Sequence, residues 1–213
     1  NIEHQSKYII SITIKMKNLK KTKKFSNFSE NYFQYLNKVF SKLDKDNLNN
    51  LTKVLDLVRR KKRTLFVIGN GGGASTSTTV ANDLGFDLQK KTKTKNHLRV
   101  HSLTDNNSLL TAISNDTGYE NVFVGQLNLY FKRGDCLLIF SASGNSKNLI
   151  RAANFVKKKN GKVIGILGFD GGKLKNLCDI CIHIPTEKGE YGPVEDIQLI
   201  LNHMLAHWYQ AKN

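Results

Sequence analysis

Apolar residues between positions 25 and 62 recur at helical spacing: Phe28, Tyr32, Tyr35, Leu36, Val39, Phe40 and Leu43, then Leu48, Leu51, Val54, Leu55 and Val58. This predicts two leading helices, 25–43 and 46–62, with Ser29 and either Asp46 or Asn47 as N-cap candidates. Their apolar stripes are wider than packing on a small sheet requires, which predicts an oligomer interface. Beyond residue 63 the period changes. Short apolar runs predict strands at 64–68, 98–103, 135–140, 162–167 and 178–184. Between them fall helices at 74–84, near 106–115 and 119–131, at 146–158, a short one to 177, and a last one at 194–210. Five strands separated by helices predict an α/β fold, a three-layer, doubly wound parallel sheet preceded by two helices.

Ligands of such sheets bind beyond the carboxyl ends of the strands, and there the chain concentrates its unusual loops. The apolar run Leu65–Ile68 stops at Gly69-Asn70-Gly71-Gly72-Gly73, and a Ser/Thr-rich helix follows. Cys136–Phe140 stops at Ser141-Ala142-Ser143-Gly144-Asn145-Ser146, again before a helix. Glycines allow a tight turn and close backbone approach to a ligand. Helix N-termini present free N–H groups to an anion, most simply a phosphate. Serine hydroxyls and backbone N–H groups hold a monophosphate without demanding a metal. The spacing of Gly69, Gly71 and Ala74 also fits a dinucleotide fingerprint, but Asp105 lies 31 residues past Ala74, where about 20 is expected. No Gly-Lys-Ser/Thr follows the glycines, which excludes a P-loop.

Composition narrows the class. The 213 residues suffice for one well-cored domain, with hydrophobic and charged shares of 39% and 23% typical of globular proteins. No apolar run has the length of a membrane span, and the apolar patch Tyr8–Ile14 lacks the features of a signal peptide. Met16 is a candidate start, with residues 1–15 upstream of it. The expected location is the cytoplasm. Of the net charge of +16, +6 lies in residues 1–24, where seven lysines face Glu3 alone. Residues 1–24 are therefore expected to form a basic, disordered tail, with the domain spanning 25–213. The remaining cations are scattered, with no aromatic-interleaved basic motif or helix-turn-helix signature, so nucleic acid is not an expected partner. Cys178 and Cys181 have CxxC spacing but no second pair, and a strand through CDICIHIP accounts for them better than zinc or redox chemistry.

Two ionisable residues stand where they can matter. Asp83 lies about three turns past the glycine loop, in reach of the cleft or as a solvated acid near the helix end. His203 sits in an otherwise apolar helix, as a core or interface histidine or as a site residue. Glu195 is eight residues before His203, about 12 Å along a helix, so the two serve different ends of a site or sites of neighbouring subunits.

GNGG before a helix, then SASGNS, then GFDGGKL resemble the sugar isomerase (SIS) domain. ANDL, TDNNSLLTAISND and EDIQLILNH narrow the resemblance to the sedoheptulose 7-phosphate isomerases, or phosphoheptose isomerases, over residues 25–210. It implies a five-stranded parallel sheet, a homotetramer with active sites between subunits, and aldose–ketose isomerisation of a sugar phosphate. By position, Ser141, Ala142, Ser143 and Ser146 would hold the phosphate. Asn70, Gly71, Gly72, Asp105 and Glu195 would surround the sugar, Glu195 replacing a glutamine. The catalytic glutamate and histidine fall on Asp83 and His203. Three departures stand out: Gly73 replaces a serine, aspartate replaces the glutamate, and Thr79 replaces a histidine that in some members binds zinc. No cofactor is expected to be required; zinc, if bound, would sit on Asp83 and His203. A non-catalytic SIS protein that binds a sugar phosphate or a protein partner is the alternative these departures raise.

Overall fold

The computed structural model describes residues 16–19 and 22–212. It divides into two compact units, 1–41 and 42–213. The first holds α1 (Met16–Leu19), packed on α2 (Phe25–Phe40). Most of the expected tail lies outside the described residues. Ser29 is not a cap: α2 starts at Phe25, and the Ser29 hydroxyl donates to the Ser26 carbonyl inside the helix.

In the second unit α3 (Lys45–Arg60) begins one residue earlier than predicted, because the true cap is Asp44. One oxygen of its carboxylate accepts the N–H groups of Asp46 and Asn47 at 2.9 and 3.0 Å, satisfying two of the helix's orphan donors. Five strands follow among the described residues: β1 (Thr64–Gly69), β2 (Arg99–Ser102), β3 (Cys136–Ser141), β4 (Lys162–Leu167) and β5 (Ile180–His183). All pair in parallel in the order β2-β1-β3-β4-β5. The central strands β1, β3 and β4 are buried along nearly their whole length, as a sheet covered on both faces requires.

One covering layer consists of α6 (Asn107–Thr117), α7 (Val122–Tyr130) and α8 (Lys147–Lys158). Phe66, Ile68, Leu137, Ile139 and Val163 pack there on Phe123, Leu127, Leu149, Ala153 and Val156. Each such fully buried side chain contributes about 1.5–3 kcal/mol relative to exposure. The other face carries α3, α4 (Gly72–Val80) and α9 (Tyr191–Lys212). Pro193 lies inside the first turn of α9, where its missing N–H costs nothing, so this helix starts three residues before its predicted position.

The helix after the glycine loop also differs from expectation. Past Val80 it widens into a π-helical stretch, Ala81–Asp87, before resuming as α5 (Leu88–Thr92). Asn82, Asp83, Gly85 and Asp87 are weak helix formers, so the i→i+4 ladder yields readily here.

Aspartates pin the amino ends of the strands. Asp135 accepts the N–H groups of Thr64 and Lys132. Asp179 accepts from Val163 N–H at 2.8 Å and pairs with Lys157 and Lys162. Partial burial favours its neutral form, but the Val163 bond and the two lysines outweigh burial and hold the carboxyl below its ordinary range. Burial pushes the thiols of Cys136 and Cys178 up to about 12, which suits inert packing groups rather than a redox pair. Among the described residues no helix is long and apolar enough to cross a membrane.

Candidate active site

The strand order reverses between β1 and β3: the chain runs outward from β1 to β2, then from β3 through β4 to β5. At such a switch point the two neighbouring loops diverge to opposite faces and leave a crevice. The loops that diverge here are GNGGG and SASGNS. Between them opens a cleft of about 90 Å³, lined by Asn70, Gly73, Ser141, Ala142, Ser143, Ser146, Tyr191 and Glu195 among others.

The serine loop is braced from below. The Ser141 hydroxyl accepts from Gly144 N–H at 3.0 Å. Gly144 has φ +64°, and a Cβ there would coincide with the Gly171 carbonyl. The GFDGGKL turn supplies the support: Leu174 N–H donates to Gly144 O, and Lys173 N–H to the Asn145 side chain. Ser146 occupies the N-cap of α8 without making a capping hydrogen bond, so its hydroxyl is available at the cleft beside the positive end of that helix.

The glycine loop is held by a clasp absent from the sequence reading. The side-chain amides of Asn70 and Asn148 exchange hydrogen bonds at 3.1 and 2.9 Å. Tyr119 adds its hydroxyl to Asn70 Oδ1 at 3.0 Å. Gly72 faces Glu195 so closely that a Cβ would lie 2.6 Å from Oε1. Gly73 is buried against Phe140, whose carbonyl would be 3.0 Å from an added Cβ. The room for a side chain at position 73 is therefore taken up by backbone.

Asp83 and His203 meet. The π-helical stretch carries Asp83 against α9, with His203 Nε2 3.6 Å from its Oδ2. Asn202 donates to the same oxygen at 2.6 Å, and Asn82 to Oδ1 at 3.0 Å. Glu195, two turns earlier on α9, serves the cleft instead. Asp105 follows β2 on the same carboxyl edge, is exposed, and is not among the residues lining the cleft. Gly71, with φ +55°, shapes the loop without lining the cleft.

The chain matches the SIS domain family over residues 31–168. It is 34% identical over 146 residues to a phosphoheptose isomerase of Nitratiruptor sp., covering 68% of this chain and 75% of that protein. The phosphoheptose isomerase of Aneurinibacillus thermoaerophilus is 32% identical over 154 residues, 72% of this chain and 75% of its own length. The chain belongs to the phosphoheptose isomerase family. The fold agrees: the structure of a phosphoheptose isomerase from Francisella tularensis superposes with TM-score 0.76 at 21% identity, covering 89% of this chain and 97% of that one.

A zinc site built by this chain would need three protein donors. Asp83 and His203 supply two donors, but the third position is Thr79, whose hydroxyl donates to the Ser75 carbonyl at 3.0 Å. Among the described residues no three His, Cys, Asp or Glu side chains cluster as a metal site. This donor set does not fit a zinc site with three protein ligands.

Proposed function

We propose that this phosphoheptose isomerase family member interconverts sedoheptulose 7-phosphate and D-glycero-D-manno-heptose 7-phosphate. The observation that carries the proposal is the pairing of a neutral hydroxyl-and-amide cradle at the switch point with an aspartate–histidine pair where the π-helical stretch meets α9. Ser141, Ala142, Ser143 and Ser146 hold the phosphate, Asn70 and Glu195 face the sugar, and Gly71 and Gly72 shape the loop beside them. Glu195 and His203 are about 12 Å apart along the helix. With C–C bonds near 1.5 Å, an extended seven-carbon chain with its terminal phosphate spans about 10 Å. A substrate with its phosphate in the cradle therefore extends along α9 toward the pair.

Asp83 acts as general base, taking a proton from C1 of the ketose, next to the C2 carbonyl. The electron pair forms the C1–C2 double bond of an enediol as His203 gives a proton to the carbonyl oxygen O2. His203 then takes the proton from O1 as the C1 carbonyl forms, and Asp83 returns its proton to C2 to complete the aldose. No step is assigned to zinc. The enzyme is read as a cytoplasmic homotetramer. Exposed apolar residues support association: Phe25 and Phe33 on α2, and Ile200, Met204 and Trp208 at four-residue spacing on α9.

The test is conversion of sedoheptulose 7-phosphate by the purified chain. Turnover in the parent and loss in Asp83→Asn is expected. A protein that is stabilised against heat by the sugar phosphate but converts none of it is a binder, and the catalytic proposal fails.

A further inference from the structure

We infer that Asn202 is a positioning residue for the isomerisation: its side-chain amide holds the Asp83 carboxylate at the reacting carbon. The inference rests on Asp83 being the base.

Four observations converge. Asn202 Nδ2 donates to Asp83 Oδ2 at 2.6 Å, shorter than the 3.0 Å bond from Asn82 to the other oxygen. The two residues are 119 positions apart, so the bond ties the π-helical stretch to α9 across the fold. Asn202 is 2% exposed, and its Oδ1 is buried without a hydrogen-bond partner. A packed apolar helix would lose nothing by carrying leucine there; a half-satisfied amide in such a place is a stability cost that calls for a reason. Finally, Asp83 stands on the widened, weakly propagating turn of its helix, where the backbone alone specifies the side-chain position poorly.

The physical account follows. A carboxylate 17% exposed on its side chain does not need Asn202 for solvation, because water can replace the donor. What water cannot do is fix the oxygen. An aspartate has one methylene less reach than a glutamate, so its lone pair meets a C–H proton only if the carboxylate stays at one rotation and one distance. Asn202 removes that freedom and, lying next to His203 on α9, sets the base of the π-helical stretch in register with the acid. It is not among the residues lining the serine cleft, so its loss should act on the chemical step and leave phosphate binding alone.

The test uses the full chain with Asn202→Leu, which keeps the volume and removes the orphan oxygen, and Asn202→Asp, which keeps the shape and removes the donor. Turnover, incorporation of solvent deuterium into the sugar phosphate, and Tm are measured beside the parent and Asp83→Asn. The expected result is a tenfold to hundredfold fall in kcat, the order of effect of a misplacement approaching about 1 Å. KM should stay within about threefold, deuterium incorporation should fall by the same factor, and Asn202→Leu should keep or raise Tm. Either variant keeping kcat within threefold of the parent, while Asp83→Asn is inactive, overturns the inference. So does a loss of kcat that both variants share with a large drop in Tm, which marks a merely structural amide. If Asp83→Asn itself retains parental turnover, the base assignment fails instead, a separate outcome.

Discussion

Gly72→Ala tests whether the glycine loop exists to seat Glu195. A Cβ at position 72 would lie 2.6 Å from Glu195 Oε1 and nearer still to its Cδ, against 3.4 Å for ordinary contact. The carboxylate must therefore retreat by at least about 0.8 Å, the difference between those two distances. Nothing else obstructs the methyl group: Gly72 has ordinary helical backbone angles, and its near neighbours are the far end of one flexible side chain. The fold should survive, with a stability change under about 1 kcal/mol, or roughly 2–4 °C in Tm for a chain of this size. Function should not. Displacement by about 1 Å can cost on the order of a hundredfold in rate, so kcat/KM for the sugar phosphate should fall tenfold to a hundredfold. The same substitution in a Glu195→Ala background should cost almost nothing more, because the clash is gone; that non-additivity identifies the pair as coupled. Gly72→Ala with parental kcat/KM, alongside an impaired Glu195→Ala, would refute the reasoning. The contrast is Gly69→Ala, whose Cβ would meet the Gly73 backbone and should compromise folding itself.

Ser146→Ala should weaken sugar-phosphate binding with little change in Tm, since this hydroxyl caps no helix; a bond to a charged group is worth about 1.5–3 kcal/mol, and unchanged affinity by calorimetry would remove Ser146 from the cradle. Asp179, held below its ordinary range by Val163 N–H and two lysines, contributes stability that is complete above the unfolded carboxyl pKa of about 3.9 and is lost as pH falls through its lower folded value. Asp179→Asn should therefore lower Tm at pH 7 and flatten the acid side of the stability profile, converging with the parent at low pH; an unchanged Tm at pH 7 with an unchanged acid slope would count against that ion cluster. Protein purified without added zinc should carry far less than one equivalent and keep its activity after chelation. Stoichiometric zinc on Asp83 and His203 would overturn the reading of Thr79.

The alternation of strands and helices was legible because apolar periodicity is a local property, and both ligand loops were visible as breaks in it. What escaped the sequence depends on partners far apart in the chain. The Asn70–Asn148 clasp joins residues 78 apart, and neither asparagine differs in composition from the many solvated ones. Asn202 stands beside His203 without any periodic mark of its own. The π-helical stretch was readable only as weak helix propensity, which marks where a helix can yield and not that it does. Asp44 was missed as a cap by the narrowest margin: three candidates lie within four residues, and only backbone geometry selects among them. Pro193 stands just before the predicted last helix but lies inside its first turn, where a proline is tolerated.

The central claim, proton transfer by Asp83 at the carbon beside the carbonyl, is tested most directly by running the reaction to equilibrium in deuterium oxide and following the label by mass spectrometry and NMR. The account predicts deuterium at C2 of the aldose and at C1 of the ketose in the parent enzyme, and no incorporation in Asp83→Asn. Full interconversion through many turnovers without any label would mean that hydrogen moves between the carbons without reaching a solvent-exchanging base, and the role given to Asp83 would be wrong.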